Sequence, residues 1–139
     1  MSSTTCIAST FATSVDRITE REWTDLLPQF ADASIYQTWA YGAVHWGEKQ
    51  LSHLVLRRNG TVLAAAQLRL IRLPILRRGI AYLRWGPLWQ RKGTAADVEV
   101  LREMSKALVA EYVSRRGLLL RVIPNCYQSE GVAIVVRAA

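Results

Sequence analysis

An Asn59-Gly60 dipeptide lies between two apolar runs, and this arrangement constrains the fold more than any other feature of the chain. The runs are LSHLVLRR before the dipeptide and TVLAAAQLRLIRLP after it. Asn-Gly favours the positive φ angles of a two-residue hairpin turn, so the pattern predicts two adjacent antiparallel strands. A third apolar run, GIAYLRW, predicts another strand, which ends at Gly86-Pro87. The centre of the chain is therefore expected to form a sheet.

Helical patterns lie on both sides of this β-rich block. The sequence TERE, in which Thr19 can cap and Glu22 can reach back, predicts the start of a first helix that Pro28 shortens. Thr38 suits the N-cap of a second helix, and Gly47 suits its end. Apolar residues at helical spacing predict a third helix over about 95–116, and the run LLLRVIP predicts a buried strand after it.

The predicted elements follow the order β-α-α-β-β-β-α-β, with a first strand at 14–18 and a further candidate strand at 132–137. This order favours the α/β (α+β) class, with a mixed, largely antiparallel sheet flanked by helices. A length of 139 residues suits one domain. We expect that domain to span 14–139 and a flexible N-terminal tail to span 1–13.

Positive charge is concentrated in the β-rich block. No acidic residue lies between Glu48 and Asp97, whereas residues 49–96 carry ten positive side chains, and the net charge of the chain is +7. The ten are Lys49, Arg57, Arg58, Arg69, Arg72, Arg77, Arg78, Arg84, Arg91 and Lys92. Such a surface attracts anions, for example tRNA, a nucleotide, a phosphorylated lipid precursor or CoA. A solvated basic face without a ligand is the second interpretation.

Several other classes of protein are disfavoured by the sequence. No apolar run approaches the roughly 20 residues of a membrane-spanning helix, and the first residues lack the regions of a signal peptide. Cys6 and Cys126 are too few for a disulfide framework or a metal site, so we expect free thiols and a cytoplasmic protein. His45 and His53 are isolated from candidate partners, and the sequence identifies neither a metal site nor a catalytic residue.

The segment QRKGTA lies between a predicted strand and the third predicted helix. It resembles the pyrophosphate-binding loop of the GNAT acetyltransferases, whose form is [QR]-x-x-G-x-[GA]. The resemblance implies that CoA would be bound by Gln90, Arg91, Lys92, Gly93, Thr94 and Ala95, at amide groups that open the helix. An ordinary strand-to-helix turn also favours glycine and threonine at these positions, so both interpretations stay open.

The run YQTWAYG points to a more specific relative. Its aromatic–Gln–x–Trp–x–aromatic–Gly pattern resembles the FemAB-like transferases, as do RWGPLW and LLLRVIPN further along the chain. The resemblance spans about 15–125 and implies a GNAT-like fold, with this chain as the N-terminal half of two. It also implies transfer of an acyl or aminoacyl group to an amine acceptor, in the modification of cell-wall or cell-envelope precursors. The donor would be acyl-CoA or aminoacyl-tRNA, and no cofactor would be bound permanently.

The same resemblance places substrate beside six residues, which are Tyr36, Gln37, Tyr41, Arg84, Trp85 and Gly86. Gln37 has a second interpretation, in which its amide bonds the backbone of the turn before the helix. Because the cleft of this family forms between two halves, three states stay open: a homodimer, a chain that lacks its second half, or an inactive truncated transferase. A different class of function also stays open, namely a non-enzymatic basic module that binds RNA or another anionic partner.

Overall fold

A computed structural model of the chain describes residues 10–75, 78–125 and 134–136. Both cysteines, Arg77 and most of the predicted N-terminal tail lie outside these ranges, so the expectation of free thiols stays a prediction. The strands are β1 (Phe11–Val15), β2 (Leu51–Arg58), β3 (Thr61–Leu73), β4 (Arg78–Arg84), β5 (Leu119–Ile123) and β6 (Ile134–Val136). The helices are α1 (Glu20–Leu26), α2 (Trp39–Trp46) and α3 (Val98–Leu108), and α3 continues in π-helical turns over Val109–Arg115.

The described strands form a single sheet in the order β1-β2-β3-β4-β5-β6. Every neighbouring pair is antiparallel except β4 and β5, which are parallel and are connected through α3. The predicted class, a mixed and largely antiparallel sheet flanked by helices, is thus confirmed. The predicted order of elements is also present, and β6 lies within the further candidate strand at 132–137.

Local sequence signals determine several of these boundaries. Asn59 and Gly60 have φ angles of 51° and 79°, as the hairpin turn between β2 and β3 requires. Thr19 and Glu22 make the reciprocal hydrogen bonds of a capping box at the start of α1. Gly47 ends α2 in a conformation with φ of 85°. These signals act through neighbouring residues alone, so they could be read directly from the sequence.

Two boundaries differ from the prediction. The first strand covers Phe11–Val15 rather than 14–18, because Phe11 pairs with Arg58 at the end of β2, so the proposed tail boundary falls within a strand. The third helix begins at Val98 rather than near residue 95. Its N-cap is Asp97, whose Oδ1 accepts a hydrogen bond of 2.9 Å from the Glu99 amide.

The larger hydrophobic core lies between α3 and one face of the sheet. Helix α3 and its π-helical extension contribute Val100, Met104, Leu108 and Tyr112, all buried against alternate residues of β2, β3, β4 and β5. The strand residues in this core are Leu54, Leu56, Ala64, Ala66, Leu68, Ala81, Leu83 and Leu120. Alanines on β3 let the helix approach the sheet closely, which is typical of a well-packed helix–sheet interface.

A smaller core lies on the opposite face of the sheet, under α1. Trp23 and Leu26 of α1, together with Phe30, pack against Ala65 of β3 and Leu88. Leu88 also forms an isolated antiparallel bridge with Ala65, which attaches the segment after β4 to the middle of β3. No helix within the described residues has both the length and the apolar character needed to cross a lipid bilayer.

Replacement of Met104 by alanine should lower the free energy of unfolding by about 2–5 kcal/mol, because the side chain is fully buried in the larger core and its loss leaves a cavity. Denaturant unfolding followed by circular dichroism measures this change. Arg102→Ala, on the exposed side of the same helix, is the control and should change the value by about 0.5 kcal/mol or less. Equal losses in the two variants would contradict the assigned packing.

Candidate functional site

Side chains of β4 alternate between the two faces of the sheet. Ala81 and Leu83 face α3, so Tyr82 and Arg84 face the side that carries α2. The Tyr82 ring lies 6.5 Å from the ring of Trp46, at the end of α2. These strand positions therefore lie beside the YQTWAYG segment, which contains the start of α2.

Six aromatic rings from three parts of the chain meet on this face, and we call them the aromatic cluster: Tyr36, Tyr41, His45, Trp46, Tyr82 and Trp85. Tyr36 joins the two sequence motifs, since its ring centroid lies 5.2 Å from that of Tyr41 and 6.1 Å from that of Trp85. Tyr41 also contacts His45 at 4.1 Å and Trp46 at 6.3 Å. The distances suit tilted and edge-to-face contacts, which stabilise such clusters.

Three arginines lie over rings of the aromatic cluster. The Arg84 guanidinium lies 4.8 Å from the centroid of Tyr36, Arg69 lies 5.8 Å from Trp46, and Arg121 lies 5.6 Å from Tyr82. None of the three is in an ion pair with a described residue. Arg69 donates from Nε to Gln50 Oε1 at 3.0 Å. A stacked guanidinium group still presents its remaining N–H groups at its edge, so the cluster combines flat apolar surfaces with donors for a phosphate or carboxylate.

Trp85 lies at the rim of the cluster in an uncommon backbone conformation, with φ of 58°. Its indole Nε1 is buried and has no hydrogen-bond partner among the described residues. Gly86 follows it and is also buried, with its amide donating to the Ile123 carbonyl at 3.3 Å. A Cβ atom at Gly86 would lie 2.9 Å from Leu83, so close packing explains this glycine.

A series of buried polar and ring contacts attaches the YQTWAYG segment to the sheet. The Trp39 ring stacks on His53 of β2 at 4.1 Å and 5°. His53 Nε2 lies 2.9 Å from Gln67 Oε1, and Gln67 donates from Nε2 to the Thr38 carbonyl at 3.0 Å. From α1, Trp23 donates from Nε1 to the Gln37 carbonyl at 2.8 Å. Residues on three elements thus fix the position of the segment that carries Tyr36 and Tyr41.

Gln37 bonds to the turn before α2. Its Oε1 accepts from the amide and the hydroxyl of Ser34, both at 2.6 Å, and the residue is only 2% exposed. This is the turn-bonding role considered as the second interpretation in the sequence analysis. Gln37 therefore positions the segment, while Tyr36 and Tyr41 form its accessible surface.

The QRKGTA segment lies near this site in sequence but has a different geometry from the one expected. Asp32 accepts hydrogen bonds from the amides of Trp89 at 3.1 Å and Gln90 at 3.3 Å. The Lys92 amide donates to the Gln29 carbonyl at 2.9 Å, and the Thr94 amide to the Arg91 carbonyl at 3.4 Å. Because these amides are used and α3 begins only at Val98, the expectation that the segment opens the helix with free amides is wrong.

Internal contacts also occupy Arg91 and Asp32. The Arg91 guanidinium donates to the Val62 carbonyl and to Gln29 Oε1. Burial raises the pKa of Asp32 above its ordinary value, although the hydrogen bonds from Trp89 and Gln90 act in the opposite direction. Lys92, Gly93, Thr94 and Ala95 are exposed.

A cavity of about 250 Å³ lies beside the segment, and none of the six residues expected to contact substrate lines it.

The structure thus brings together Tyr36, Tyr41, Arg84 and Trp85, with Gly86 supporting the turn. Sequence reasoning missed Arg69, Tyr82 and Arg121 as members of the same surface. Tyr82 and Arg84 could have been assigned to one face from the alternation in GIAYLRW. Arg121 required knowledge that β5 pairs in parallel with β4, which places it opposite Tyr82.

Comparisons with known proteins support the fold. No family model matches the chain, and no curated protein matches it. Among solved structures, the crystal structure of FemX is similar to it, with a TM-score of 0.56 and 16% sequence identity. The similarity covers 81% of this chain and 27% of the FemX chain, so this chain spans about a quarter of the length of FemX. At this identity the likeness shows a FemX-like fold, which confirms the fold aspect of the FemAB-like resemblance.

The stability of the chain should depend on the protonation of His53. Burial lowers the pKa of this imidazole, while the hydrogen bond with Gln67 and the charge of Asp16 oppose the shift in part. Between the folded pKa and the ordinary value of about 6.5, the unfolded chain binds more protons than the folded chain. The free energy of unfolding should therefore be greatest above about pH 6.5 and fall as the pH decreases towards the folded pKa.

Urea unfolding at a series of pH values between about 5 and 8 measures this dependence. His53→Asn should flatten the profile in this window, whereas the matched variant His45→Asn, at an exposed position, should keep the slope of the unaltered protein. An unchanged slope in His53→Asn would show that protonation of this residue is not coupled to folding.

Proposed function

We propose that the chain is part of a Fem-like transferase that moves an acyl or aminoacyl group to an amine acceptor, in the modification of cell-wall or cell-envelope precursors. The observation that carries this proposal is a juxtaposition within the FemX-like fold. The Tyr36–Tyr41 segment and the Arg84–Trp85 strand end, which resembled the FemAB-like family separately in the sequence, form one surface in space.

This surface suits a substrate that combines a flat ring with phosphate groups. The rings of Tyr36, Trp46 and Tyr82 offer stacking or edge contacts, and the guanidinium groups of Arg84 and Arg121 offer charge-assisted hydrogen bonds. Precursors carried on a nucleotide have both features, and the end of a tRNA has them as well. We assign the acceptor or donor phosphates to these arginines.

In the proposed reaction the amine lone pair attacks the donor carbonyl carbon. The new C–N bond forms as the C–O bond to tRNA or the C–S bond to CoA breaks, and the amine proton leaves with the departing oxygen or sulfur. The described residues contribute by binding and orienting the two substrates, which accounts for a large part of the acceleration in bimolecular reactions. The Gly86 amide is not offered to the substrate in this proposal, because it already donates to the Ile123 carbonyl.

The exposed part of the QRKGTA segment is proposed as a secondary donor contact. Because the amides of Gln90, Lys92 and Thr94 are engaged, and the Thr94 hydroxyl donates to the Arg91 carbonyl, a phosphate would meet the Lys92 ammonium instead. The contact would be electrostatic and sensitive to salt. Since the chain spans about a quarter of FemX, the rest of the transferase surface would come from further polypeptide or from a second copy.

A titration with a nucleotide-linked muropeptide tests the acceptor side of the proposal. Arg84→Gln should weaken binding about tenfold, because a charge-assisted hydrogen bond to phosphate is lost. Arg102→Gln removes an exposed charge on α3, behind the sheet, and should change the dissociation constant less than about twofold. Equal effects of the two variants would remove the support for a specific acceptor surface.

A transfer assay with labelled aminoacyl-tRNA or acyl-CoA and an amine acceptor then tests the reaction itself. The proposal expects product to form with the chain, or with the chain supplemented by the remainder of a FemX-like protein, and to be reduced in Arg84→Gln. The alternative, a basic module, is favoured by a different outcome. In that case the chain should bind unrelated RNA with a steep salt dependence, and Arg84→Gln and Arg102→Gln should weaken this binding equally.

A further inference from the structure

Exposed apolar residues lie where β3 ends, next to residues 76 and 77, which are outside the described ranges. Ile75 is 91% exposed and Leu73 is 43% exposed, with the exposed Pro74 between them. A single exposed aliphatic residue is ordinary, but here two lie within three residues, beside the connection from β3 to β4. No packing within the described chain explains them, because both lie outside the two cores.

Two arginines flank these apolar residues. Leu73 pairs with Arg78 in the last register position of the hairpin, and Arg72 directly precedes Leu73. Neither Arg72 nor Arg78 is in an ion pair with a described residue. We call Arg72, Leu73, Pro74, Ile75 and Arg78 the hairpin tip.

A cavity of about 300 Å³ adjoins the hairpin tip and is lined by Arg72, Arg78 and Arg116, with Leu73, Pro74, Gly79 and Leu118. Arg116 is already paired, since its Nε lies 2.9 Å from Glu111 and its Nη2 lies 3.3 Å from Asp16. None of the described residues that line the cavity is a carboxylate. Arg72 and Arg78 therefore leave a local excess of positive charge beside an apolar projection.

We propose that the hairpin tip docks the protein onto an anionic lipid bilayer. Isoleucine and leucine side chains at the boundary between headgroups and acyl chains leave water, and arginines beside them meet lipid phosphates. Arginine stems extend along apolar surface while their charged ends stay at the headgroups, so the two kinds of residue act together. RNA accounts for the tip less well, because contacts between arginines and phosphates make no use of Ile75.

The arrangement has a geometric consequence for the aromatic cluster. β4 runs from Arg78 at the tip to Arg84 at the cluster, six residues later. At about 3.3 Å per residue, the cluster lies between about 13 Å (Tyr82) and about 20 Å (Arg84) from the docked surface. A substrate anchored in the same bilayer through a long carrier would reach it. The docking itself does not depend on the proposed transfer activity.

Sedimentation with sucrose-loaded vesicles tests the inference, using phosphatidylcholine with and without phosphatidylglycerol. The intact chain should bind the anionic vesicles and bind pure phosphatidylcholine at least about tenfold more weakly. The double variant Leu73→Ser/Ile75→Ser should lower the partition coefficient on anionic vesicles about fivefold or more, since the apolar contact is lost. The double variant Arg72→Gln/Arg78→Gln should lower it by a similar factor at low salt and by less at high salt.

Matched controls separate the tip from general hydrophobicity and charge. Val44→Ser alters an 81% exposed aliphatic residue on α2, and Arg102→Gln removes an exposed charge on α3. Each control should change the partition coefficient less than about twofold. All altered side chains are exposed, and circular dichroism verifies that each variant is folded.

Three results would overturn the inference. The first is absence of binding to anionic vesicles. The second is binding that the serine variant leaves unchanged while the arginine variant lowers it, which would indicate an electrostatic surface without insertion. The third is competition by RNA for the same arginines in a protein that does not sediment with vesicles. The transferase proposal is tested through Arg84, which lies outside the tip, so the two proposals fail independently.

Discussion

The antiparallel pairing of β2 with β3 is the constraint on which the rest of the fold depends. Its register places Leu54, Leu56, Ala64 and Ala66 towards α3. Because side chains alternate along a strand, the same register directs the residues between them to the opposite face. A shift of one residue would exchange the two faces, so the larger core and the attachment of α2 are determined together.

On the second face, the strands supply polar groups rather than a continuous apolar surface. His53 and Gln67 are buried there and satisfy each other, and the remaining Gln67 amide group reaches the Thr38 carbonyl. An unpaired buried polar group costs free energy of folding, so these hydrogen bonds leave few alternative positions for α2. The location of Tyr36 and Tyr41 thus follows from the polar pairing on two strands far from them in sequence.

The parts of the fold that could be predicted are those determined by neighbouring residues. The Asn59-Gly60 turn and the Thr19 capping box needed no distant partner. The start of α3 could not be predicted well, because Thr94 and Asp97 are both suitable caps, and the choice depends on packing of the helix.

In the candidate site, too, the features set by neighbouring residues could be predicted and those set by distant contacts could not. The QRKGTA pattern predicted free amides, but the Gln90 amide donates to Asp32, which lies 58 residues earlier in the chain. Contacts over such a separation are determined by tertiary structure and leave no local signal. The motif residues Tyr36, Arg84 and Trp85 were found from the sequence, whereas Arg69 and Arg121 reach the cluster only through strand register.

The bridge between Leu88 and Ala65 has a consequence for recognition. β4 is paired with β3 up to Tyr82 and with β5 up to Arg84, and the chain is attached again at Leu88 after only three further residues. Trp85 is therefore held between two fixed points, with little freedom to reorganise. A ligand bound at this rim would lose its own mobility, but the protein would need little ordering. This favours binding by a rigid, preorganised edge.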